Sequence, residues 1–313
     1  LDTAEGELKR KIGKLEVSEV GLGCNNFGMR LDDVRTAEVV AAALESGINF
    51  FDTADVYGGA RSEEYLGRAL GARRPNVVLA TKFGNAGAGI AGGAAPAYVR
   101  QALDASLRRL GTDWVDLYQL HRPDPAVPIA DTLGALQELV KAGKVREIGC
   151  SNFTAEQLRE AAAVGGVGFV SVQNEYSILH REPERGVLAE CDRAGVAFLP
   201  YFPLAGGILT GKYRSNEPHP QGTRLTEPSS RLAGRFLKPE HVSAAESLDA
   251  FARQRGHTVL DLAFSWLLSH PAVASVIAGA TSVAHVKANV AAAGWSLPAD
   301  DVAEVDRLAP FHA

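Results

Sequence analysis

Cysteine is scarce in this chain, and its placement excludes several chemistries. Cys24, Cys150 and Cys191 stand far apart in 313 residues, without CxxC spacing and without the even number of a disulfide framework. That usage fits a reducing compartment, so a cytoplasmic setting is expected. The eight histidines are equally dispersed. No HExxH or paired Cys/His spacing offers zinc its ligands, and no metal is expected. No apolar run approaches the roughly 20 residues of a membrane span. The first residues, LDTAEGELKRK, lack the apolar core of a secretory leader, and the missing initiator Met is expected to reflect trimming of a few residues. A formal net charge of −5 speaks against nucleic acid or an anionic membrane as partner.

What is there is a regular rhythm. With 46% hydrophobic and 22% charged residues, the chain can bury a sizeable core as a soluble globular protein. Residues 8–18 alternate around Gly13-Lys14 and read as a small β-hairpin. Short apolar runs then alternate with helical patterns. The runs fall at 20–22, 48–51, 77–80, 115–120, 145–150, 169–173, 196–201 and 273–278. The helices fall at 36–46, 62–70, 96–110, 129–141, 155–164, 183–194 and 282–293. Residues 202–240 are irregular and rich in Gly, Pro, Ser and Arg, and are followed by helical patterns at 244–255 and 259–269. A last amphipathic helix is expected near 300–308. About eight βα units predict a parallel sheet closed into an α/β (β/α)8 TIM barrel, with an N-terminal hairpin and a long loop after strand 7. A doubly wound open sheet is the competitor. No linker-like break interrupts the pattern, so one domain over 1–313 is expected.

In such a barrel the C-terminal ends of the strands share one mouth. The stretch FFDTADVYGGARSEEY hands Asp52 and Tyr57 to that mouth, and Ser62 reads as the N-cap of the helix that follows. The other strand ends contribute Asn25 and Asn26, Lys82, His121, Ser151 and Asn152, Gln173 and Tyr201. Asp52, Tyr57, Lys82 and His121 together support proton delivery to a carbonyl oxygen. A free tyrosine, with a pKa of about 10, is a weak acid at neutral pH. A nearby ammonium such as Lys82 favours the phenolate, Asp52 would keep Lys82 charged, and His121 could orient or donate to the substrate oxygen. None of the four reduces carbon, so a hydride-carrying cofactor is the natural completion.

The segments FFDTADVYG, ATKFG, LGTDWVDLYQLHRPDP, GKVREIGCSNF, VQNEY and LAGGILTGKY occur in the order and spacing of the aldo-keto reductases, which the chain resembles over nearly its whole length. The resemblance implies a TIM barrel that uses a nicotinamide cofactor, usually NADPH, to interconvert a carbonyl and an alcohol. It makes Asp52, Tyr57, Lys82 and His121 a catalytic tetrad with Tyr57 as general acid. It makes Ser151, Asn152 and Gln173 ligands of the nicotinamide carboxamide, and Tyr201 the ring that stacks on the nicotinamide. Leu204, Gly206 and Gly207 match the pyrophosphate segment. Gly279, Thr281, His285 and Asn289 match the segment at the adenosine 2′-phosphate. The chain departs from the family at His285, where Gln or Arg is usual, and at Ala288, where Glu is usual. These departures leave NADH open beside NADPH, with Lys212 and Arg214 as compensating positive charge. The resemblance also admits a second reading, an NADP(H)-binding regulatory or sensor subunit like the family's channel-associated members. A non-redox TIM-barrel hydrolase or lyase is a third.

Other features bear on the site. Asn152 could cap the helix at 155, a task for which Thr154 is at least as well placed. Residues 87–92 satisfy GxGxxG but lie in a Gly/Ala-rich run away from any strand-to-helix turn, and read as a loop. Residues 206–212 satisfy the first part of a P-loop, yet Tyr213 replaces the magnesium-binding Ser/Thr. The substrate, a small carbonyl compound, is expected to meet walls formed by Asn25, Asn26, Phe27, Trp114 or Phe153 and by loops 83–95 and 215–238.

Overall fold

Alternation of side chains along eight short strands organises the molecule, a computed structural model that describes residues 9–85, 93–227 and 230–311. An antiparallel hairpin, β1 (Lys9–Ile12) and β2 (Leu15–Ser18), precedes the main sheet. The parallel strands are β3 (Val20–Gly23), β4 (Phe50–Asp52), β5 (Val78–Phe83), β6 (Val115–Leu120), β7 (Val145–Ser151), β8 (Ser171–Glu175), β9 (Ala197–Tyr201) and β10 (Val276–Gly279). They pair in chain order, with β10 beside β3. The ring closes just before β10. Phe198 forms a parallel bridge with Val273, its N–H donates to the Ala272 carbonyl, and its own carbonyl accepts from Ala274 N–H. The sheet is therefore a barrel and not the open doubly wound alternative.

The helices fill the crossovers: α1 (Asp33–Glu45), α2 (Arg61–Leu70), α3 (Pro96–Leu110), α4 (Ile129–Lys141), α5 (Ala155–Ala163) and α6 (Val187–Ala194). After β9 come α7 (Ala233–Phe236), α8 (Pro239–Arg253) and α9 (Val259–Leu268), then α10 (Val283–Ala291) and α11 (Ala299–Leu308). Their ends follow from local chemistry. Thr154 and Gln157 form a reciprocal capping box on α5, and Thr258 and Asp261 do the same on α9. Thr154, rather than Asn152, thus starts α5. The expected Ser62 cap is not formed. α2 begins one residue earlier, after Ala60 in a left-handed conformation (φ 74°), and Ser62 is buried. Its hydroxyl instead donates to the Cys24 carbonyl and bonds Thr53 Oγ1, which ties the start of α2 to the barrel rim. Among its described residues, the 202–238 connection is largely irregular, apart from a 3-10 stretch at Ala205–Thr210 and the single turn of α7. The GxGxxG at 87–92 lies outside the described residues.

Two apolar layers result. The larger lies between strands and helices. The smaller fills the barrel floor, where Ile12, Leu15 and Val17 of the hairpin meet Phe50, Val78, Ala80, Leu117, Ala197 and Leu199. The hairpin therefore plugs the N-terminal end. Because strand side chains alternate with period 2, the residues two positions beyond these floor residues also point inward, one level higher. They are Asp52, Lys82, Gln119 and Tyr201, joined by Ser151 and Gln173 from β7 and β8. A polar layer thus lies on a hydrophobic plug.

Candidate active site

Three donors converge on Asp52. Lys82 Nζ donates to Oδ2 at 2.5 Å, while Gln119 Nε2 and Gln173 Nε2 donate to Oδ1 at 3.0 and 3.1 Å. Strand register explains the convergence: Lys82 faces Gln119 across β5–β6, and Gln173 faces Ser151 across β7–β8. Lys82 is fully buried, and a second of its protons goes to the Thr53 carbonyl at 3.0 Å. The ammonium also lies 5.2 Å from the centroid of the Tyr57 ring. A buried lysine with such partners stays charged. Burial pulls its pKa down, but Asp52 and Tyr57 hold it above the ordinary lysine value.

Tyr57 is carried by the loop after β4. Gly58 (φ 59°) and Gly59 (φ 66°) make the bend behind it. A Cβ on Gly58 would stand 2.4 Å from the Phe27 carbonyl oxygen, so only glycine fits there. Burial raises the phenol's pKa above its usual value, and Lys82 opposes that rise without cancelling it. The expectation of a phenol acidified below 10 is therefore corrected: desolvation outweighs the ammonium, and the resting group is protonated. The His121 ring lies edge-on to Tyr57, centroids 5.8 Å apart. Its pKa is lowered to about 3 by burial, Lys82 and Arg122, so the imidazole is neutral. His121 Nδ1 is buried without a partner.

These groups open onto one cleft of about 560 Å³ at the C-terminal ends of the strands. Asp52, Tyr57, His121, Ser151, Asn152, Gln173, Tyr201, Leu204, Gly206, Lys212, Gly279, Thr281, His285 and Asn289 all line it. Of the expected catalytic tetrad, Lys82 does not; it acts from beneath, through Asp52 and Tyr57. The carboxamide ligands expected at the inner end are tied to one another. Asn152 Nδ2 donates to the His121 carbonyl and to Ser151 Oγ, and Asn152 Oδ1 accepts from the Tyr201 hydroxyl at 2.8 Å. Asn152 sits at φ 63°, a left-handed conformation that asparagine tolerates better than most residues. At the outer end Ser282 caps α10 by accepting from His285 N–H, and the Thr281 hydroxyl bonds His285 Nδ1 at 3.1 Å.

Several expected residues lie elsewhere. Arg214 is paired with Asp249 and does not reach the cleft. Trp114 precedes β6, so it sits at the opposite end of the barrel, under the guanidinium groups of Arg74 and Arg146. Phe27 and Phe153 belong to the apolar layer outside the strands. The residues that strand-end inspection missed are Gln119, Arg30, Arg122, Arg224 and Arg235. Gln119 had a signal, being a polar residue two positions before His121 and therefore on the same inward-facing side of its strand. Arg224 and Arg235 come from the irregular stretch, where no periodicity announces direction.

The cleft fits a nicotinamide dinucleotide. At one end it has amide and hydroxyl groups beside the flat Tyr201 ring. At mid-length it has glycines and cations, and at the far end a helix N-terminus. Asn26 Oδ1 is buried without a partner, and a Cβ on Gly279 would stand 3.1 Å from Asn26 Nδ2, intruding on this part of the wall.

Comparison with known proteins agrees. The chain is 35% identical to aldo-keto reductase YhdN of Bacillus subtilis, over 94% of this chain and 90% of that one. It is 34% identical to aldo-keto reductase yakc [NADP(+)] of Schizosaccharomyces pombe, over 95% and 89%. Its fold superimposes on the holo form of aldo-keto reductase AKR11C1 from Bacillus halodurans with a TM-score of 0.80 and 34% identity, over 97% of each chain. Residues 19–310 match the model of the aldo/keto reductase family, and to that family the chain belongs.

Proposed function

We propose that the protein reduces a small aldehyde or ketone to an alcohol at the expense of NAD(P)H, reversibly, in a reducing compartment such as the cytoplasm. The observation that carries this reading is the juxtaposition, at the floor of one cleft, of a protonated Tyr57 and a neutral His121 with a buried Lys82–Asp52 pair whose lysine lies beneath the cleft surface. The cofactor, when bound, supplies the hydride that reaches the carbonyl carbon. Tyr57 then gives its phenolic proton to the carbonyl oxygen, and one proton from water restores it. The carbonyl compound would thus take up one hydride and one proton to become the alcohol.

The electrostatics favour that direction of proton movement. The resting phenol keeps its proton because burial penalises the phenolate. As negative charge grows on the substrate oxygen, the proton leaves, and the Lys82 ammonium stabilises the phenolate left behind. Asp52, held by three donors, keeps Lys82 charged and aimed. A neutral His121 can orient the carbonyl without adding a second positive charge beside Lys82. Donors to a developing oxyanion contribute roughly 3 kcal/mol each in comparable sites.

Ser151, Asn152 and Gln173 would hold the nicotinamide carboxamide and Tyr201 its ring. Leu204, Gly206 and Lys212 would follow the pyrophosphate, and Gly279, Thr281, His285 and Asn289 the adenosine side. NADPH is favoured over NADH because Lys212, Arg30 and His285 gather near that side, and because the S. pombe relative carries NADP(+) in its name. The test is a panel of neutral and anionic carbonyls run with NADPH and NADH on wild type and Tyr57→Phe. Loss of roughly 10²–10⁴ in turnover with unchanged nucleotide affinity is expected of the variant. Unchanged reduction rates would remove Tyr57 from the mechanism.

A further inference from the structure

The walls of the cleft are unevenly charged. Arg30, Arg122, Lys212, Arg224 and Arg235 line it against a single acid, Asp52, in a chain of formal net charge −5. Partners are in place for some of these charges: Asp52 has Lys82, Arg30 has Glu227 and Arg235 has Glu175. Arg122, Lys212 and Arg224 have no ion pair or hydrogen bond among the described residues. Arg122 and Lys212 are exposed and hydrated, whereas Arg224 is half-buried, and an enclosed cation without an ion pair is costly to keep unless an anion comes to it.

Position separates the three. Lys212 belongs to the outer part. Its Nζ lies 3.3 Å from where a Cβ on Gly207 would stand, and its electrostatic neighbours are Arg30 and His285. The other two face the reaction centre from different loops. Arg122 directly follows His121 and is close enough to bias the charge of both His121 and Tyr201. Arg224 comes from the loop after β9 and biases Tyr57. Its guanidinium lies 5.1 Å from the centroid of Phe202, whose ring is in edge contact with Tyr201 at 5.5 Å. Arg224 is the more enclosed of the pair, and Arg122 is exposed at the mouth.

We propose that the carbonyl substrate carries an anionic group, a carboxylate or a phosphate, which Arg122 captures at the mouth of the cleft while Arg224 supplies positive charge from the loop after β9. The proposal rests on the carbonyl-reduction reading above and names the substrate class for it. A guanidinium suits the task because its planar fork can donate two parallel hydrogen bonds to a carboxylate or phosphate. Hydrogen bonds to charged groups contribute about 1.5–3 kcal/mol, which corresponds to a preference of roughly 10- to 150-fold.

The experiment compares matched pairs: 4-oxobutanoate with butanal, and dihydroxyacetone phosphate with dihydroxyacetone. Each is run with saturating NADPH on wild type, Arg122→Ala and Arg122→Lys. Wild type should prefer the anionic member of at least one pair by about tenfold or more in kcat/KM. Arg122→Ala should erase that ratio, chiefly through KM, and Arg122→Lys should keep part of it. The pair that responds separates carboxylate from phosphate. Thermal melting confirms that the variants fold, and nucleotide titration confirms that the lost ratio does not arise at the cofactor. Turnover confined to neutral carbonyls, or a preference that survives in Arg122→Ala, overturns the anionic assignment and leaves carbonyl reduction standing. Absence of turnover across this set and the wider panel overturns both.

Discussion

Lys82 Nζ donates to Asp52 Oδ2 at 2.5 Å, with the lysine side chain wholly buried and the aspartate nearly so. The pair occupies the layer directly above the apolar floor, where an unpaired charge has no water to turn to. Replacing Lys82 by Met leaves the carboxylate with only two amide donors. A loss of about 3–5 kcal/mol in stability is expected, as for other broken buried pairs. The double variant Asp52→Asn/Lys82→Met should recover most of that loss in a denaturant melt and none of the turnover. Full stability in the single variant would show that Gln119 and Gln173 suffice to hold Asp52.

His121 gives the fold an acid-side weakness. Its native pKa is lowered to about 3 from an ordinary 6.5, so between those values an unfolded chain binds a proton that the native chain refuses. Stability contributed by the neutral ring is therefore complete above pH 6.5 and declines as pH falls toward 3. At pH 5.5 the loss is about 1 kcal/mol. His121→Gln should show a flatter stability profile between pH 7 and 5, measured by denaturant midpoints. Parallel profiles for variant and wild type would refute a buried neutral imidazole.

Asp55 acts in the opposite sense. It is buried behind the site, its Oδ1 lacks a partner, and its Oδ2 meets the Tyr98 hydroxyl at 3.5 Å. Burial and the nearby Glu63 carboxylate raise its pKa to about 7 from an ordinary 3.8. A raised carboxylate stabilises the fold below its unfolded pKa, and that contribution is lost as pH rises through about 7. Asp55→Asn should thus gain more than about 1 kcal/mol over wild type at pH 8 relative to pH 4. Equal slopes would place Asp55 in contact with solvent or with an additional donor.

How much of this was legible in the sequence depended on periodicity. Strand alternation reveals which residues point inward, so Asp52, Lys82 and the barrel itself followed from apolar runs and their polar ends. His121, Ser151 and Gln173 followed in the same way. Trp114 misled because it adjoins a strand at the wrong end; proximity to a strand says nothing of direction unless the side of the strand is kept. The Ser62 cap misled because a serine hydroxyl has several acceptors within reach, and here the Cys24 carbonyl won. Arg224 and Arg235 lie in a segment with no repeating pattern, where only tertiary packing decides which way a side chain faces. Electrostatic balance was equally hidden, since the acidifying effect of Lys82 on Tyr57 depends on burial that no motif encodes.

One ion pair joins two loops beside the cleft and predicts a kinetic effect. Arg30, in the loop after β3, is paired with Glu227, in the long loop after β9. Arg30 and Arg224, one from each loop, line the cleft together with the segment proposed for the pyrophosphate, so the pair ties the long loop to the cleft wall. Glu227→Gln weakens the pair and frees a guanidinium, which should favour nucleotide binding electrostatically while loosening the loop. The two effects oppose each other in affinity but not in rate, because release depends on how readily the loop opens. Release of NADPH, followed by stopped-flow fluorescence, should accelerate severalfold. An unchanged release rate in Glu227→Gln would mean that the loop is held by its apolar contacts, among them Phe236 and Leu225 against Gly206, rather than by the ion pair.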